Sequence, residues 1–140
     1  MRTLFAAFAL SASLLSAVPV WADDALYRDL GGQEKIAAFT DDFVERLTKD
    51  PRIQGQFASA NLPHLKKMLT EQFISLAGGP ATYTGRNMTE AHASMGLRNF
   101  DFNALVEDLQ FAMDAAKVPF FTQNRLLALL APMQRDVVTK

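Results

Sequence analysis

The chain predicts an all-α fold, and three observations carry that expectation. Apolar residues recur at helical spacing through almost every segment after residue 22. Helix stops separate those segments: Gly31-Gly32, Asp50-Pro51, Gly78-Gly79-Pro80 and Val118-Pro119. No stretch alternates apolar and polar residues as a half-buried strand does. A length of 140 residues gives one small domain.

The elements follow in order. Residues 1–22 read as a secretory signal peptide: Arg2 is the positive start, Leu4 to Leu15 the short apolar run, and Val20-Trp21-Ala22 the small-residue cleavage site. The alternative is an uncleaved membrane anchor, for which the run is short and wrongly flanked. The mature domain is then 23–140, periplasmic or secreted and free of the membrane. A short first helix covers Ala25 to Leu30 and stops at Gly31-Gly32. The second runs from about Gln33 to Lys49, with Ile36, Phe39, Phe43 and Leu47 on one face. Asp50-Pro51 ends it and begins a turn carrying Ile53 and Phe57. Asn61 is the expected cap of a third helix, with Pro63 in its first turn and Leu62, Leu65, Leu69, Phe73 and Leu76 along one face. Pro80 to Asn87 is a loop. Thr89 to Met95 forms a short helix capped by Asn87 or Thr89. Asn99 is the expected cap of a helix over about Phe100 to Lys117, burying Phe102, Leu105, Val106, Leu109 and Met113. The last helix is expected as one piece, about Thr122 to Val138.

Composition excludes several functions. Taking Arg2 from a formal charge of −1 leaves the mature chain at −2, which gives no footprint for nucleic acid or acidic lipid. There is no cysteine, hence no disulfide, thiolate metal site, iron–sulfur ligation or thioether attachment of haem. An exported domain of this size without disulfides needs a true core or a bound cofactor. No glycine loop cradles phosphate. The adjacent pairs Asp23-Asp24 and Asp41-Asp42 do not share a helix face. The only histidines are His64 and His92, too few for a di-iron bundle. His92 lies among Met88, Met95 and Leu97. A neutral imidazole in that setting is either a packing residue or an axial ligand to haem iron, and the local residues leave both open.

A set of motifs favours the ligand. LYRDLGG from Leu26, DDFVERLTKDPRI from Asp41, Phe57, AGGPATYTGR from Ala77, M-x-x-AH at Met88 to His92 and LLALLAP-x-x-RDV from Leu126 together resemble the group I truncated haemoglobins. The resemblance spans Leu26 to Val137 and implies the two-over-two globin fold around non-covalent haem b. It places the third helix on the distal side and His92 beneath the iron. One ring N–H of His92 is expected to bond a backbone carbonyl, leaving the other nitrogen for the metal. The implied lining is Phe43, Phe57, Leu65, Leu69, Phe73, Met88, Met95, Leu97, Phe102 and Val106, each of which taken singly is ordinary core. Arg86 is the expected propionate partner, with Lys66 and Lys67 weaker. Tyr83 either bonds a propionate or closes its loop.

The chain departs from that family on the distal side. Val44 stands where a tyrosine is usual, and Leu65 and Leu69 where glutamines are frequent. A donor there holds bound oxygen through a hydrogen bond worth roughly 1.5–3 kcal/mol, so its loss speeds oxygen release by about one to two orders of magnitude. Gln72, Thr40 and Thr70 are the substitute donors, with Gln72 expected in a solvated position. Met68 is a candidate second iron ligand opposite His92, against a bland role in packing; His64 is a weaker one. The leading function is reversible binding of a diatomic gas, O2 with NO and CO as alternatives, with peroxidase-like or NO dioxygenase chemistry as a candidate side activity. The alternatives are an electron carrier with a redox partner, using His92 and Met68, and a cofactor-free helical interaction module. A monomer or weak homodimer is expected.

Overall fold

The computed structural model describes residues 23–140; the expected signal peptide lies outside the described residues. Among the described residues, seven α-helices follow in order: α1 (Ala25–Asp29), α2 (Gly32–Lys49), α3 (Leu62–Leu76), α4 (Met88–His92), α5 (Asn99–Ala115), α6 (Phe120–Leu130) and α7 (Gln134–Val137). Single 3₁₀ turns at Gln54–Phe57 and Ala131–Met133 link α2 to α3 and α6 to α7. Among the described residues there is no strand. α2 packs against both α3 and α5, and α6 touches the same two helices, so two helix pairs enclose one core.

That core is built from the faces the spacing marked out. Ile36, Phe39, Phe43 and Leu47 of α2 meet Phe73 of α3, Leu109 and Met113 of α5 and Leu126 of α6, all buried. The Phe73 ring lies 6.1 Å from Phe39 and 6.3 Å from Phe43, tilted in both cases. Such aromatic pairs add about 0.5–1.5 kcal/mol beyond the area they bury.

The second glycine pair fixes how α3 ends. The Gly78 and Gly79 N–H groups donate to Ser75 O at 3.2 Å and Ile74 O at 2.8 Å. Gly78 adopts φ +82°, and a Cβ there would collide with the Asp23 carbonyl. Tyr27 N–H then reaches Ala77 O at 3.0 Å, tying α1 to the end of α3. This glycine-dependent cap stops the helix and releases the chain toward α4.

Three boundary expectations are corrected. Asn99 is the first helical residue of α5 and does not cap it; Arg98 holds the cap position, its N–H donating to the Asp101 carboxylate at 2.9 Å. The Asn99 side chain is engaged elsewhere, its Oδ1 accepting from Gln134 Nε2 at 2.8 Å. The last helix is not continuous. It starts at Phe120, directly after Pro119, and breaks at Ala131–Met133, because Pro132 has no N–H to continue the ladder. α4 covers Met88–His92, shifted toward the N-terminus and capped by Asn87, whose Oδ1 accepts from Glu90 N–H at 2.9 Å. Asn61 caps α3 as expected, accepting from His64 N–H at 3.1 Å.

Candidate cofactor site

α3 and α4 both line a cavity of about 550 Å³. That volume suits a buried organic ligand, for which sites run roughly 300–1,000 Å³. Each wall comes from one helical stripe. Leu65, Met68, Leu69 and Gln72 recur at i, i+3, i+4 and i+7 on α3, and Met88, Ala91, His92 and Met95 repeat the same spacing from α4 onward. Two recesses adjoin it. One, of about 80 Å³, is lined by Phe43, Phe73, Phe102 and Val106 and shares Leu69, Gln72 and Met88 with the main cavity. The other, of about 40 Å³, is lined by Leu97 and Phe102 and shares Phe57, His92 and Met95. The structure thus brings the apolar residues singled out above around the main cavity and its two adjoining recesses.

His92 is half-buried, and its Nδ1 lies 2.8 Å from Met88 O. A carbonyl only accepts, so Nδ1 carries a proton, and in the neutral imidazole the lone pair is on Nε2. Nε2 has no hydrogen-bond partner among the described residues. This is the carbonyl contact anticipated for an axial ligand, made within one helical turn.

The cavity also has an electrostatic direction. His64, Lys67 and Arg86 line it and no carboxylate does. Lys67 is held only loosely by Glu71 at 4.0 Å, while Lys66 turns to Asp41 at 3.5 Å and does not line the cavity. Tyr83 closes its loop: its hydroxyl donates to Arg86 O at 2.6 Å, and burial pushes its pKa up. The loop is pinned to α3 by Glu71, which accepts from Thr84 N–H at 3.2 Å and Thr84 Oγ1 at 2.8 Å and is thereby held below the usual carboxylate range. An apolar slot with one free imidazole nitrogen and only cationic side chains among its charged lining fits a flat, dianionic metal macrocycle such as haem.

Several distal expectations are corrected. Val44 is fully buried and lines none of the three spaces, because it sits one residue, about 100° of helix, from Phe43, which does. Thr40 is no free donor; its buried hydroxyl gives its proton to Ile36 O at 2.7 Å. Thr70 lines none of these spaces either. Gln72 is not solvated. It is 8% exposed, and its Nε2 approaches Met88 Sδ at 3.5 Å and Met133 Sδ at 3.7 Å, two weak acceptors. Met68 lines the main cavity with His92, and His64 lines it while remaining exposed. Sequence reasoning missed Gln56, Ala60 and Asn61 in the main cavity and Met133 beside the recess. Pro132, which breaks the last helix, was the available signal for Met133.

Comparison with known proteins extends this geometry. The bacterial-like globin family matches residues 25–139. The chain is 30% identical over 115 residues to the group 1 truncated haemoglobin of Tetrahymena pyriformis, covering 82% of this chain and 95% of that one. It is 31% identical over 114 residues to the group 1 truncated haemoglobin GlbN of Mycolicibacterium paratuberculosis, covering 81% and 84%. The crystal structure of the Tetrahymena pyriformis protein in its Fe(III) form aligns with a TM-score of 0.79, at 30% identity, over 82% of this chain and 98% of that one. The 2/2 haemoglobin of Synechococcus, crystallised in the cyanomet state with covalently attached haem, shares the fold at a TM-score of 0.76 and 21% identity, over 82% and 98%. The family match over residues 25–139 and the likeness in sequence and fold agree, and the chain belongs to the bacterial-like globin family as a truncated haemoglobin.

Proposed function

We propose that this chain binds haem b non-covalently in the 550 Å³ cavity, with His92 Nε2 as the protein ligand to iron, and reversibly binds a diatomic gas on the opposite face. One observation carries the reading: the His92 Nδ1 contact with Met88 O at 2.8 Å selects the tautomer whose Nε2 lone pair is free, in a slot that no carboxylate lines. Bound there, haem would supply the iron at which O2, NO or CO binds.

The chain's own residues set the terms of that binding. Met88 O fixes the tautomer and orientation of His92. Leu65, Leu69 and Phe57 exclude water from the slot. Arg86 and Lys67 are the cations available to the propionates. Thr40 is committed to Ile36 and Gln72 rests between two thioethers, so neither replaces the distal donors usual in the family. Losing a bond worth roughly 1.5–3 kcal/mol weakens O2 retention more than NO or CO retention. The reading is therefore a gas-binding protein with fast oxygen release rather than an oxygen store.

A second reading, electron transfer, is favoured by Met68 lining the same cavity as His92. Methionine–histidine ligation raises the reduction potential. Spectra of the ferrous haem-loaded protein separate the two. A five-coordinate high-spin spectrum unchanged in Met68→Ala supports gas binding. A low-spin spectrum lost in Met68→Ala supports electron transfer. Residues 1–22 support export to the periplasm or beyond, and a mature N-terminus at Asp23, read by mass spectrometry, tests that separately.

A further inference from the structure

Outside the cavity, α5 carries a buried carboxyl that gas binding does not use. Asp108 is 6% exposed, and its Oδ2 is buried without a hydrogen-bond partner among the described residues. A buried, unpartnered carboxylate is costly, and a structure retains one only where it is neutralised or functional. The groups around it come from α2 and the turn that follows. Asp50, the C-cap of α2, has a side chain 8% exposed. Arg52 binds it, donating through its backbone N–H at 2.8 Å, through Nε at 2.9 and 3.1 Å and through a terminal nitrogen at 2.8 Å. The other terminal nitrogen of Arg52 binds Glu107 at 2.6 Å, and Arg46 is engaged by Asp42 at 3.0 Å. Every nearby cation is therefore paired with a different acid. The side chain of Asp50 is the remaining hydrogen-bonding neighbour of Asp108, and a carboxylate accepts a hydrogen bond only from a protonated partner.

We propose that Asp108 and Asp50 share one proton in the folded protein, and that releasing it loosens the corner between α2 and α5 that carries one wall of the cavity. Burial and the facing Asp50 carboxylate push Asp108 up to about 6, while Arg52 holds Asp50 low. Asp50 O accepts the N–H groups of Ile53 at 3.1 Å and Gln54 at 2.8 Å, which start the turn ending in Phe57. Ile53 and Phe57 line the same recess as His92, and Phe57 also lines the main cavity. Two facing buried carboxylates strain the anchor of that turn. The sign is fixed by linkage. A carboxyl whose folded pKa is raised favours the fold in its neutral form, so the contribution is complete below about 3.8, declines through the interval to about 6 and is absent above it. The wall opens more often at pH 7.5 than at pH 4.

The proposal is independent of haem, so purified protein tests it with or without the cofactor. Infrared spectroscopy should find a protonated carboxyl band that titrates near pH 6, disappears in Asp108→Asn and moves to lower pH in Asp50→Asn. Hydrogen exchange at the Ile53 and Gln54 amides, corrected for intrinsic base catalysis, should accelerate by up to about 100-fold between pH 4 and 7.5, at about tenfold for each pH unit between the open and closed pKa. Asp108→Asn, whose amide imitates the neutral acid, should flatten that dependence. A wild-type band that disappears by pH 5, or the same exchange profile in wild type and Asp108→Asn, overturns the proposal.

Discussion

The two helical walls of the cavity present the same spacing of side chains and could hardly differ more in what holds them. α3 has 15 residues, a side-chain cap at its start, a glycine cap at its end, and buries Gln72, Phe73 and Ile74. α4 has five residues, none fully buried, and packs chiefly against the short α7. A single helical turn does not sustain itself in water. The wall of α3 is therefore made by the core, while the wall that presents His92 is ordered by its caps, its neighbours and what fills the cavity.

The largest effect expected from this contrast lies on α3. Phe73 belongs to the core and to the 80 Å³ recess, so Phe73→Ala should cost about 3–5 kcal/mol in urea unfolding. A loss below about 1 kcal/mol would mean α3 is not anchored as described. Haem comes next. At 100 times its dissociation constant it should add about 2.7 kcal/mol. Hydrogen exchange should show that protection concentrated over residues 87–95 and slight over 70–76. Equal protection of both would break the contrast.

How much of this was legible follows from where each signal resides. Helix faces and glycine stops are local, so the all-α class, the α3 stripe and its Asn61 cap could be read from spacing alone. The M-x-x-AH segment located His92, and its carbonyl partner lies within the same turn. Gln72 was misread because it sits at the edge of the α3 stripe. The residues that enclose it, Met88 and Met133, come from 16 and 61 positions away. Val44 was misplaced because a one-residue step on a helix changes the face. Asp108 gave no signal, since its isolation depends on how Arg52 and Arg46 are already spent.

Smaller substitutions sharpen the contrast further. Asn61→Ala should cost about 1 kcal/mol of global stability, the usual worth of a side-chain cap. Asn87→Ala, the matching change on α4, should leave global unfolding nearly unchanged and speed haem loss instead. The smallest effect is a comparison of helix ends. α5 closes with the hydrogen-bond pattern of α3, Lys117 N–H to Asp114 O at 2.9 Å and Val118 N–H to Met113 O at 3.0 Å, but with Lys117 at φ 59° where α3 has Gly78. Left-handed backbone costs a side-chain-bearing residue about 1–2 kcal/mol, partly offset by the chain entropy of glycine. Lys117→Gly should therefore stabilise by about 0.5 kcal/mol, read as a small rise in the urea midpoint.

The most direct test of the central claim is a haem titration of the mature chain beside His92→Ala, followed by visible absorption in both oxidation states. The account predicts saturation at one haem per chain for the wild type, with an imidazole-ligated spectrum. His92→Ala should lose that spectrum and release haem far faster. Equal uptake with identical spectra in the two proteins, or no saturable uptake by the wild type, would contradict it.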